Sequence, residues 1–254
     1  METIGLIAAM TEECRPILRR VQGWKMCRLG RFPGYRFRLD GRDCLLVQSG
    51  IGLKRAGDAA RALLAAASPK LLVSFGVAGA VKDGLNIGDV VFVRSVSLLE
   101  KGILGLTMHL TTFPDSAQEA IAEALERGGA RLVWGTALTT RGSQFVHLES
   151  PETENPVIEM ETAAIAQAAV DYEVPLLGLR GVSDNPREPL PIDPDAVMNE
   201  NYQLRVGKLI QVLARHPGIA FQFSRLHRNT AIAAENAAIA VITALNNNIG
   251  PRKG

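Results

Sequence analysis

Short continuous apolar runs alternate along this chain with stretches of helical period. Ile4 to Met10 is an apolar run bounded by polar residues, as expected of a strand buried on both faces. Cys14, Ile17, Leu18 and Val21 then share one helical face, with Thr11 placed to cap the helix and Pro16 assigned to its first turn. Tyr35, Phe37 and Leu39 alternate toward an Asp40-Gly41 turn, and Cys44 to Gln48 follows as a buried strand, which together read as a hairpin. Leu53 to Ala67 is an Ala-rich helix, Lys70 to Ala80 a strand that runs into small residues, and Asp89 to Leu98 a further strand. Ser116 to Gly128 reads as helix, Ala130 to Thr140 as strand, Glu161 to Tyr172 as helix, Val174 to Asp184 as strand, and Ala196 to Arg215 as helix.

This alternation predicts an α/β fold with three layers, α/β/α, around a mixed central sheet. No repeat or long linker interrupts it, so residues 1–215 are read as one catalytic-type domain. Residues 216–254 are read as a helical extension packed on that domain, with two helices after Pro217. The second, Asn229 to Leu245, is rich in Ala and Ile, and its amphipathic pattern makes it a packing or subunit-contact helix. Its few basic residues argue against a helix lying in a membrane surface.

Composition narrows the classes further. The 254 residues carry 28 basic and 26 acidic side chains for a net charge of +2, without blocks of like charge, so nothing calls for a nucleic-acid partner. The arginines near Arg15 to Arg20 and Arg28 to Arg38 read as solvated faces. Three cysteines, Cys14, Cys27 and Cys44, form no CxxC pair and fit a reducing cytoplasm. The start lacks the basic region of a signal peptide, and no apolar run reaches membrane-spanning length. His109, His147, His216 and His227 lack ligand-like spacing, so no metal site is expected.

Ligands of open α/β sheets collect at the carboxyl ends of strands. The segments there are Met10-Thr11-Glu12-Glu13, Ser49-Gly50-Ile51-Gly52, Phe75-Gly76-Val77-Ala78-Gly79, Arg141 to Val146, Glu159-Met160-Glu161 and Ser183-Asp184-Asn185. If they meet at one mouth, it holds Glu13, Glu161 and Asp184 between the apolar walls Phe145 and Met160. Gly50, Gly52, Gly76 and Gly79 would let backbone approach a ligand closely. Each signal has a plainer reading alone: an acid at a helix start is a cap or dipole partner, and Asp184 a turn residue. The glycine strings match neither a dinucleotide fingerprint nor a phosphate loop, so neither cofactor class is supported.

The segments IGLIAAMTEE, SGIG, SFGVAGAVKDGLNIGDVV, RGSQFV, VIEMETAAIA and LRGVSDN stand in the order found in the nucleoside phosphorylase and nucleosidase family, which the chain resembles over about residues 4–215. The general pattern is closest to methylthioadenosine/S-adenosylhomocysteine nucleosidases. SGIGLKRAGDAARALLAA, SFGVAGA and the tail resemble the hopanoid-associated phosphorylases, for which adenosylhopane is the implied substrate. The resemblance implies cleavage between ribose C1′ and a purine nitrogen through an oxocarbenium-like transition state. Asp184, the S-D aspartate beside Ser183, would protonate the leaving base near N7. Glu161 would accept the ribose hydroxyls and Met160 would pack on the ribose. Phe145 would stack on the base while Val146 offers backbone hydrogen bonds, and Glu13 would activate the nucleophile. Gly52, Val77 and Gly79 would complete the substrate contacts. Glu159 is expected to point away from Glu161 and to pair with a nearby Arg. No cofactor is implied; a homodimer is.

Departures leave the nucleophile open. Where related phosphorylases carry Arg and Ser, this chain has Ser74 and Val77, and the nucleosidases' Ser at the latter place is also lost. Phosphate wants forked donors; Arg15 and Ser74 are the candidates for it as co-substrate, and hydrolysis is favoured. The segment between Phe145 and Glu159 is short for the family. The alternative is a non-catalytic nucleoside-binding protein on the same fold. Membrane association is left open, with no support in the pattern.

Overall fold

The structure is a computed structural model that describes residues 2–100, 103–141, 153–184, 186 and 219–247, of which 219–223 as backbone. In chain order the elements are β1 (Thr3–Ala8), α1 (Thr11–Arg20), β2 (Lys25–Leu29), β3 (Phe32–Leu39), β4 (Arg42–Gln48), α2 (Leu53–Ala67), β5 (Leu71–Ala80), β6 (Val90–Glu100), β7 (Ile103–His109), α3 (Asp115–Glu126), β8 (Leu132–Thr140), β9 (Val157–Glu159), α4 (Thr162–Asp171), β10 (Leu176–Asp184) and α5 (Ile219–Asn246).

The sheet is mixed, as the pattern predicts. β4, β1, β5 and β10 run parallel, while β2 and β3 add an antiparallel edge. The sheet also closes on itself, which the sequence did not predict: β5 pairs with β10, β10 with β6, β6 with β8, β8 with β9, and β9 returns to β5. Because β1, β4, β5 and β10 run parallel, their carboxyl ends lie along a common rim.

Continuous apolar strands arise because both faces are covered. Successive residues point to opposite sides, so Leu6, Leu46 and Val73 meet α1, α3 and α5, whereas Ile7, Leu45 and Leu72 meet α2 and α4. This is the expected three-layer arrangement. Local expectations needed correction. Thr11 is the first helical residue and bonds Gln48 rather than capping α1, and Pro16 lies within the helix. Two strands escaped the pattern. β2 has mostly exposed positions, and β7 shows little burial beyond its pairing with β6, leaving Ile103 and Leu106 exposed.

Residues 219–246 form one helix where two were expected. Its face of Ala238, Ala240, Val241, Ala244 and Leu245 belongs to the same core as Leu6 and Phe75. It lies so close to β10 that a Cβ on Gly181 would come within 2.1 Å of the Ala233 carbonyl oxygen. Small side chains on α5 permit that approach, which accounts for the Ala-rich pattern. The helix expected at residues 196–215 lies outside the described residues.

Candidate active site

Glu13 leaves the first turn of α1 and turns back under the strand ends. Its Oε2 accepts hydrogen bonds from the amides of Ala9 at 2.9 Å and Met10 at 2.8 Å, and its Oε1 accepts from the Val77 amide at 2.9 Å. The Met10 contact is what a glutamate at the third helical position does for a helix start. The Val77 contact crosses to β5. A Cβ on Gly76 would meet Glu13 Oε1 at 2.4 Å, so only glycine admits the carboxylate there. The side chain is buried, and burial raises its pKa against the lowering effect of the amides and of Arg180.

Glu159 and Glu161 part company where β9 ends. In a continuous strand, residues two apart share a face. Here the strand stops at Glu159 and Glu161 becomes the N-cap residue of α4. Glu159 turns inward: its Oε2 accepts from the Glu161 amide at 2.9 Å and the Thr162 amide at 2.8 Å, capping α4, and its Oε1 accepts from the Thr139 hydroxyl. Arg180 completes the layer, with Nη2 3.4 Å from Glu159 Oε2, 2.7 Å from Ser74 Oγ and 2.8 Å from Thr162 Oγ1. The arginine expected beside Glu159 is therefore Arg180.

Glu161 faces the cleft. Its Oε1 accepts from the Gly52 amide at 2.8 Å, and Gly52 sits at φ +101°, a left-handed conformation suited to glycine. Desolvation first, then the Glu159 and Glu13 charges, push its pKa up to about 8 against the opposing effects of Gly52 and Arg180. Glu13, Glu161, Ser49, Ser74, Val77 and Arg180 line one cleft. Asp184 stands at the end of β10, paired in register with Gly79. A Cβ on Gly79 would come within 2.3 Å of its Oδ2. Ser183 Oγ donates to Asp184 Oδ1 at 2.7 Å, and burial raises the Asp184 pKa despite that bond.

The structure thus gathers Glu13, Ser74, Val77 and Glu161 around one cleft, holds Gly52 against Glu161, and sets Gly79, Ser183 and Asp184 at the tip of the same β5–β10 pair. Val77 acts through its amide. Met160 is half-buried beside Glu161. Arg15 is not brought to the cleft: it is exposed on the outer side of α1 and lines a separate groove with Trp24 and Tyr35. Phe145 and Val146 lie outside the described residues. Arg180 is the residue sequence reasoning missed. Its signal was a cation inside an otherwise apolar buried run, which demands a buried partner.

Glu13, Glu161 and Asp184 thus stand along one rim of a closed mixed sheet. A sequence model of the phosphorylase superfamily matches residues 3–217, and the chain belongs to that superfamily. It is 30% identical, over 73% of its own length and 87% of the relative's, to a 5′-methylthioadenosine/S-adenosylhomocysteine nucleosidase of Maridesulfovibrio salexigens. The corresponding nucleosidase of Colwellia psychrerythraea, solved with adenine, shares the fold with a TM-score of 0.74 at 20% identity, covering 100% of this chain and 98% of that one. A futalosine hydrolase of Helicobacter pylori shares it with a TM-score of 0.71 at 17% identity, covering 97% and 98%.

Proposed function

We propose that this protein hydrolyses the N-glycosidic bond of a purine nucleoside, releasing adenine from a nucleoside with a 5′ substituent. The observation that carries this reading is the set of three carboxylates with raised pKa values at one rim, Glu13 buried and Glu161 and Asp184 half-buried, two of them aimed by backbone amides. Asp184 in its protonated form donates to the base near N7 as the C1′–N bond breaks, so the base leaves neutral. Water attacks C1′ and gives its proton to Glu13. Glu161 accepts the ribose hydroxyls, and its attraction for the sugar grows as positive charge develops there. The relatives' activity supports the same chemistry.

Arg180 favours water over phosphate. It is the guanidinium among the described cleft residues, and it is committed to Glu159, Ser74 and Thr162. A phosphate dianion would have to compete with a buried ion pair for it. A large apolar 5′ group such as that of adenosylhopane fits the sequence resemblance, and a homodimer without cofactor is part of the same reading.

Incubation with adenosine, 5′-methylthioadenosine, S-adenosylhomocysteine and inosine, with and without phosphate, tests it by chromatography of the products. Free adenine without phosphate is expected. Release only with phosphate, together with a sugar 1-phosphate, would make the protein a phosphorylase. Nucleoside binding without base release from any of these compounds or from a nucleoside with a large apolar 5′ group would make it a binding protein.

A further inference from the structure

A second concavity lies outside the cleft, between the outer face of α1 and the β2–β3 edge. It measures about 300 Å3, and Cys14, Leu18, Trp24, Met26 and Tyr35 supply its apolar surface. Trp24 and Met26 remain 42% and 70% exposed, and the Trp24 ring meets Tyr35 edge-on with centroids 5.6 Å apart. Arg15 and Arg19 line the same groove. Arg28 stands two residues beyond Met26 on the same face of β2.

The charges here are not balanced locally. Among the described residues, Arg15 and Arg28 have no carboxylate within salt-bridge reach, while Arg19 and Arg20 share the single acid Glu235. Glu235 belongs to α5, and Glu12 is the exposed acid of α1. Basic residues on an edge strand ordinarily discourage sheet-to-sheet pairing. That accounts for Arg28 but not for an exposed tryptophan and methionine beside it. Aromatic rings with an apolar body and a polar tip, flanked by arginines, suit the boundary between headgroups and acyl chains.

We propose that this face docks on an anionic lipid bilayer, with Trp24, Met26 and Tyr35 entering the headgroup boundary and Arg15 and Arg28 facing lipid phosphates. The groove begins at Thr11, which is bonded to Gln48 next to cleft residue Ser49, so a docked molecule holds its cleft close to the bilayer surface. The proposal stands independently of the proposed activity.

The test is sedimentation of the full chain with phosphatidylcholine vesicles, with and without phosphatidylglycerol. Binding only to the anionic vesicles is expected, weakened by salt. The double variant Arg15→Glu, Arg28→Glu should lower partitioning by at least about 25-fold, roughly fivefold for each arginine lost at the surface and more for the added carboxylates. Trp24→Ser should weaken it without changing the salt dependence, with the thermal transition of each variant as the fold control. In a Trp134→Phe background, Trp24 emission should shift to the blue on binding. Failure to sediment with anionic vesicles, or partitioning unchanged in both variants, would overturn the proposal. Loss of self-association in Trp24→Ser without any vesicle binding would also overturn it, and would assign the groove to a second copy of the chain.

Discussion

Glu159 and Glu161 are two residues apart and have opposite lives. Glu159 is fully enclosed, yet every direction around it is answered: two amides, a hydroxyl and the Arg180 guanidinium. Glu161 accepts from the Gly52 amide at 2.8 Å and, at a longer 3.3 Å, from the Met160 amide, and otherwise faces the cleft, with its pKa pushed up to about 8. The first arrangement makes a carboxylate part of the architecture. The second leaves it short of partners, so that a ligand's hydroxyls can supply them. The same contrast separates Arg180, whose donors are spent on the layer beneath, from Asp184, which accepts from the Ser183 hydroxyl and is half-buried.

Breaking the lower layer should have the largest effect. Arg180→Met leaves Glu159 buried without its cation, and a loss of about 3–5 kcal/mol of stability is expected from urea denaturation. Asp184→Asn should leave the fold intact and lower kcat for base release by about 10² to 10⁴, the usual worth of a general acid. Unchanged kcat in a folded Asp184→Asn would remove the assigned proton donor. Gly76→Ala should push Glu13 off its Val77 amide and lower kcat roughly 10²-fold, as displacements of about 1 Å do; the control is Gly105→Ala, a glycine on β7 away from the cleft.

The last expectation concerns pH. Burial and the neighbouring carboxylates push the Glu161 pKa up from the ordinary carboxylate range to about 8, so between these values the folded state holds a proton that the unfolded state has lost. Stability of the ligand-free protein therefore falls as pH rises through that window. The raised Glu13 and Asp184 values act in the same direction. Glu161→Gln should flatten the slope measured by thermal unfolding across this range. A slope unchanged in that variant would mean that Glu161 ionises as freely in the fold as in the unfolded chain.

Much of this contrast was readable in the sequence. Doubly buried strands announced themselves as unbroken apolar runs, and polar residues at their ends marked Glu13, Glu161 and Asp184. Sheet closure was not readable, because it depends on which strands pair, and periodicity is silent about partners. β2 was missed because an edge strand with Lys25, Met26 and Arg28 exposed has no apolar run to show. Arg180 was missed although its setting was informative: Leu176 to Val182 is otherwise apolar or glycine, and a cation there needs an answering charge. Arg15 misled because proximity to Glu13 in sequence places it on the opposite side of α1.

Adenine release from 5′-methylthioadenosine without phosphate, by the parent protein and by Glu161→Gln with a matched thermal transition, tests the central claim most directly. The account predicts free adenine from the parent and at least about a 10²-fold lower kcat in the variant, the scale set by removing one transition-state contact. Undiminished release by the variant would contradict it.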